Sequence, residues 1–221
     1  MAYVMAIAIL AVSLFTGVAV AASAQSCGGT VVEKWDKVSD GVTGDWYDGT
    51  FETGDGTENN PFIISSAEEL AWVCKNTTVE NSKGVYYKVD ESIKAFDMNT
   101  ISGVDLTVDG LTATQVKEMV AGKILGKVWH PGYAGCFAGS FDGNGVTIYG
   151  LYAGPAYYNQ SSFDTNSPYG CNYAALFSKI DATTASFKNF SIKNSYFTGE
   201  VSAAVYAESV VNSGSATIEN V

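Results

Sequence analysis

Hydrolysis of a glycosidic bond takes two carboxylates facing one sugar linkage, so the acidic residues are the first place to look for chemistry. Asp142 lies in a glycine-rich stretch, and Asp55, Glu58, Asp97, Asp105 and Asp109 are scattered through turn-like segments. No spacing puts two of them on one face of a common strand or helix. Asp142 is followed by Gly143, Asn144 and Gly145, which suits a corner residue bonding its own backbone better than a general acid. His130, the only histidine, precedes Pro131, and no Gly-x-Ser-x-Gly elbow supplies a nucleophile for a triad. A lyase would want a cationic base and an acidic calcium cluster, and in a chain without arginine only lysine could be that base. Residues 54–61 offer carboxylates to a hard cation, but without the ligand spacing of a calcium loop. The expectation is a chain with no catalytic residues, no cofactor and no metal.

Binding has more to work with. The chain holds 13 Tyr and 4 Trp, side chains with apolar faces and polar tips that suit sugar rings and protein partners as well as a core. Tyr157, Tyr158 and Tyr169 fall in a segment rich in Asn, Ser and Pro between Gly154 and Gly170, which reads as a surface loop and the candidate ligand contact. Polysaccharide or a host or cell-surface protein would be the partner. Nucleic acid is excluded: the net charge is −11 and every one of the 12 basic residues is lysine.

Residues 1–24 carry no charge and end in Ala22-Ser23-Ala24, the small-x-small pattern of signal-peptide cleavage. A positive leading region is missing, and about 20 apolar residues also suffice for a membrane anchor. A cleaved signal fits better, because small residues and not a basic flank close the run. The expected location is extracellular or the cell surface. Export makes Cys27, Cys74, Cys136 and Cys171 candidates for two disulfides. Four cysteines allow three connectivities, one of which joins Cys136 to Cys171 and Cys27 to Cys74; buried free thiols are the alternative. No Cys-x-x-Cys occurs, so zinc has little support.

The elements that must position these residues centre on 137–151. Phe137, Gly139 and Phe141 share one face of an extended piece, and Val146 and Ile148 one face of the next, with Asp142-Gly143-Asn144-Gly145 between them. Pattern alone reads this as a hairpin. Upstream, Ser66 with Glu69 forms a capping box opening a helix whose Leu70, Val73 and Cys74 share a face, and Val85–Val89 reads as a strand. Thr112 with Gln115 forms a second box, Leu111 can staple onto Val116, and Gly122 ends the helix. Ile148-Tyr149-Gly150-Leu151, Phe187-Lys188-Asn189-Phe190 and Ile218-Glu219-Asn220-Val221 share the form apolar, polar, small or Asn, apolar. Their recurrence predicts stacked repeats with Ile148, Phe187 and Ile218 in one register and Asn189 aligned with Asn220.

Phe-x-Gly-x-Phe-Asp-Gly-Asn-Gly-x-Thr-Ile-x-Gly-Leu, from Phe137 through Ile148 to Leu151, resembles the signature that opens the repeats of GLUG-type bacterial surface proteins. Gly-Asp-Gly-Thr, Pro-Phe-Ile-Ile, Ala-Glu-Glu-Leu-Ala-Trp and Tyr-Tyr-Lys-Val, from residue 54 on, resemble the segment that precedes those repeats. The resemblance implies a mainly β fold, a right-handed parallel β-helix with an N-terminal strand and helix capping region and a short helical insertion. It makes Asp142–Gly145 a corner between successive strands of a coil. The implied organisation is a signal peptide or anchor at 1–24, a lead-in at 25–60, a capping region at 61–126 and repeats at 127–221, cut within a repeat whose partners would be further β-helix repeats of the same chain. The implied role is non-catalytic adhesion or display, with a carbohydrate-active β-helix enzyme, lyase or hydrolase, as the alternative.

Overall fold

The computed structural model describes residues 32–34, 49–99, 103–120, 136–153, 173–197, 201–210 and 214–221. In chain order these hold β1 (Val32–Lys34), β2 (Phe62–Ile64), α1 (Ala67–Asn76), α2 (Val79–Ser82), β3 (Tyr86–Val89), β4 (Ala95–Asp97) and α3 (Ala113–Val120). There follow β5 (Ser140–Tyr149), β6 (Tyr152–Ala153), β7 (Tyr173–Ala174), β8 (Phe177–Ile180), β9 (Ser186–Lys193), β10 (Tyr196–Phe197), β11 (Val201–Ser202), β12 (Tyr206–Ser209) and β13 (Thr217–Glu219).

Local chemistry starts the helices where the sequence places them. The Glu69 amide donates to Ser66 Oγ at 3.2 Å, capping α1, and Leu70, Val73 and Cys74 are all buried. The Glu69 carboxylate accepts from Ser65 and not from the Ser66 amide, so only half of the expected box forms. At α3 the box closes: the Thr112 amide donates to Gln115 Oε1 at 2.8 Å, and the Gln115 amide to Thr112 Oγ1 at 3.3 Å.

Every pair among the described strands is parallel, and the fold is mainly β, as expected. The right-handed β-helix is not. The described strands form an open seven-stranded parallel sheet and three separate two-stranded sheets, β6 with β10, β7 with β11 and β8 with β12, without closure into a solenoid. The reason lies in β5. The Asp142–Gly145 stretch, read as a hairpin turn or as a corner between two strands, is neither: it is absorbed within one ten-residue strand. The first half of β5 pairs with β3 (Tyr87 beside Phe141) and its second half with β4 (Phe96 beside Ile148). Two upstream strands therefore share one edge of β5 instead of stacking one above another. Its other edge takes β9, with a register shift between Asp142 and Val146 that accommodates the extra residues as a bulge.

The repeat is half realised. Phe187 stands beside Phe141 on one side and Ile218 on the other, and Asn220 Nδ2 donates to Asn189 Oδ1 at 3.0 Å. Ile148 instead pairs with Ile192, one strand half further along, because β5 and β9 each contribute two segments to the sheet.

An aromatic column fills the core. Phe137 lies 4.8 Å from Phe177 and 5.4 Å from Phe187, ring to ring, and Phe141 lies 5.2 Å edge-on from Phe190. At the β2 side Phe51 covers the column, 5.1 Å from Phe62 and 5.7 Å from Trp72. Among the described residues, the exposed large apolar side chains, Val201, Val210, Ile218 and Val221, all lie at 201–221.

Candidate functional site

Four of the six candidate carboxylates, Asp55, Asp97, Asp105 and Asp142, accept from the backbone. Asp55, Asp90, Asp105 and Asp181 each accept from the amide and the hydroxyl of the Thr or Ser two residues on, at 2.6–3.0 Å. Asp97 and Asp142 accept from the amides of Asn99 and Asn144 in the same way. These hydrogen bonds hold the Asp55, Asp90 and Asp181 carboxyls below their ordinary range, the hydroxyl bond being the largest cause in each. The local signal for this recurring turn, Asp-x-Thr/Ser/Asn, is present in the sequence.

Asp142 has two further ties. Its Oδ1 also accepts from Asn189 Nδ2 at 3.0 Å, and its Oδ2 faces Lys188 Nζ at 3.5 Å. Asn144, at φ 52°, turns its amide group onto the Val89 carbonyl at 3.1 Å. The rest of the motif is packing. Phe137, Phe141, Ile148 and Leu151 are buried, and Gly139 runs beneath the carbonyls of Ser82 and Val85. Gly143 lies against Asn189 and Phe190, whereas Gly145 stands in open space at φ 85°.

A concave surface forms elsewhere, where the 103–120 segment meets the turn between β9 and β10. Asn194, at φ 49°, donates to the carbonyls of Leu106 and Val108 at 2.8 and 2.7 Å, fixing that segment against the sheet. Asp109 adds a second clamp: it accepts from Tyr149 Oη and from Lys193 Nζ, both at 3.0 Å, and the lysine bond is the larger cause of its lowered pKa. Leu106, Val116 and Val120 then bury a small apolar cluster against Leu111, Met119 and Tyr196. The expected staple of Leu111 with Val116 is part of it.

Between α3 and residues 194–196 remains a groove of about 430 Å³, lined by Leu111, Thr114, Val116, Lys117, Ser195 and Tyr196 among others. Its floor is apolar, Tyr196 contributes a half-buried ring, and the exposed Thr114 and Lys117 bring a hydroxyl and a cation to the rim. Ser195 Oγ accepts from the Leu151 amide at 3.1 Å and donates to the Lys193 carbonyl at 2.9 Å, which holds the turn rigid. Such a surface can stack a ring and hydrogen-bond its substituents. Sequence reasoning missed it, since α3 and Tyr196 lie some eighty residues apart.

Tyr157, Tyr158, Tyr169, His130, Cys27 and Cys171 lie outside the described residues, as does the 1–24 segment. Cys74 is buried and Cys136 half-buried, and both are free thiols; burial pushes both up in pKa. Among the described residues no helix is long and apolar enough to cross a membrane, and no group of three or more His, Cys, Asp or Glu is placed to hold a metal ion. Comparison with protein-family models, curated proteins and solved structures finds no match to this chain.

Proposed function

We propose that this chain is a non-catalytic module of an exported or cell-surface protein, of the GLUG type that its Phe137–Leu151 motif resembles, and that it binds carbohydrate in adhesion or display. The observation that carries this reading is the contrast between its two polar regions. Aspartates that a hydrolase would need are tied into turns, several with pKa values lowered, the opposite of what a general acid requires. The α3 groove, in contrast, offers a half-buried aromatic ring beside an exposed hydroxyl and an exposed ammonium group. Lys117 there favours sugars bearing carboxylates over neutral ones.

Binding of the purified chain to neutral and uronate-containing polysaccharides tests both halves of the proposal. Tyr196→Ala should weaken binding about tenfold, and Lys117→Ala should weaken the uronate polymers alone. Release of new sugar ends that disappears on Asp142→Ala would overturn the non-catalytic reading. Binding untouched by Tyr196→Ala but lost when Tyr157, Tyr158 and Tyr169 become Ala would move the contact from the groove to that segment.

A further inference from the structure

The two walls of the α3 groove are held in different ways. On the sheet side, Ser195 is bonded to the Leu151 amide and the Lys193 carbonyl, which fixes the turn that carries Tyr196. On the other side, the chain at 104–109 is tied to the body at its oxygens. Asn99 donates to the Val104 carbonyl, Asn194 to those of Leu106 and Val108, and Tyr149 and Lys193 to the Asp109 carboxylate. All of these ties precede Gly110. Gly110 stands at φ 83°, and among the described residues nothing lies within 4 Å of the place a Cβ would take. Beyond it comes α3, whose Val116 and Val120 are buried with Leu106 in a cluster distinct from the aromatic core. Among the described residues the only member of that cluster from outside 104–120 is Tyr196. Rotation at Gly110 therefore swings α3 while the ties on 104–109 stay made, because glycine absorbs dihedral changes that other residues resist. Lys117, exposed on α3, moves with it.

We propose that α3 is a jaw hinged at Gly110 and that an acidic sugar closes it. Tyr196, on the fixed wall, stacks the ring, and Lys117, brought down by the jaw, meets the carboxylate. The inference rests on the sugar-binding reading of this groove and deepens it, since it makes closure the step that selects charge. A ligand shifts a conformational equilibrium only through contacts that differ between the two states. Here that contact is the pairing of Lys117 with the carboxylate, made in the closed state alone. A neutral sugar of the same shape occupies the open groove and leaves α3 free.

The full chain is followed by amide hydrogen exchange, alone and with the hexamer of galacturonic acid or its methyl ester, which has the same shape without the charge. In the free chain the amides of 116–120 should exchange about tenfold faster than those of Phe141 and Ile148 in β5, through an opening that low urea does not accelerate. The acidic hexamer should slow them about tenfold and the ester should not, and Lys117→Gln should remove the difference. Gly110→Asn accepts the left-handed dihedral but narrows its range, and should weaken binding of the acidic hexamer about fivefold. Gly103→Asn, at φ 73° in equally open space but ahead of the ties, should leave it unchanged. Exchange of 116–120 in step with β5, equal protection by acid and ester, or equal effects of the two Asn variants would each overturn the jaw and leave sugar binding in the groove standing. Binding of neither sugar would overturn the sugar reading and the closure with it, while the sugar-free comparison of α3 with β5 still reports on the hinge.

Discussion

Removing the Asn189 side chain tests whether the amide ladder holds β5, β9 and β13 together. Asn189 sits at φ 58°, so glycine keeps the backbone while deleting two hydrogen bonds, one to Asp142 and one from Asn220, both 3.0 Å. A bond to a half-buried carboxylate contributes about 1.5 kcal/mol and an exposed amide pair about 0.5. Relief of left-handed strain and the added freedom of the unfolded glycine roughly cancel. Asn189→Gly should therefore cost about 2 kcal/mol at pH 7. Asn189→Asp keeps the acceptor for Asn220 but sets a second carboxylate against Asp142, adding about 1 kcal/mol at pH 7 through repulsion that Lys188 only partly offsets. That new carboxyl has a pKa raised in the folded state. Its penalty is present above the folded pKa and fades as pH falls towards the unfolded value of about 4. Urea unfolding followed by far-ultraviolet circular dichroism at pH 7 and 4.5 separates the two variants. A glycine variant within 0.5 kcal/mol of the parent, or an aspartate variant with the same deficit at both pH values, would refute the ladder.

The two central glycines should fail for different reasons. A Cβ at Gly143 would lie 2.4 Å from Phe190 Cβ and 2.8 Å from the Asn189 carbonyl, so Gly143→Ala should cost about 2–3 kcal/mol and disturb the β5–β9 register. Gly145→Ala, with nothing within 4 Å but φ at 85°, should cost about 1 kcal/mol and Gly145→Asn less, in the same urea titration. Burial pushes the Tyr87 pKa from 10.0 to about 12. The unfolded chain ionises first, so stability should fall between pH 10 and 12 by about 2–3 kcal/mol and level off above, a loss that Tyr87→Phe removes in alkaline titrations of the two proteins.

Several features were legible in the sequence because they depend on few neighbouring residues. Ser66 and Thr112 start helices by bonding amides three residues on, and any chain with those residues there has the option. The alternation of apolar and polar residues around Asn189 and Asn220 repeats with its own period, and that period placed Phe187 beside Ile218 correctly. The Asp-x-Thr turns are equally local, and reading them as one motif would have removed those carboxylates from any catalytic set.

Contacts between distant residues were decided only by the tertiary structure. Whether Asp142–Gly145 turns back, rounds a corner or continues depends on what pairs with each side of it. Because β3 and β4 both bond to the same edge of β5, the stretch stays one strand and the sheet stays open. The groove has the same origin: Leu111, Lys117 and Tyr196 meet because Asn194 and Asp109 pin the 103–120 segment to the sheet. Periodicity reports which face of an element is apolar, but the partner that covers that face is chosen by the packing of the whole chain.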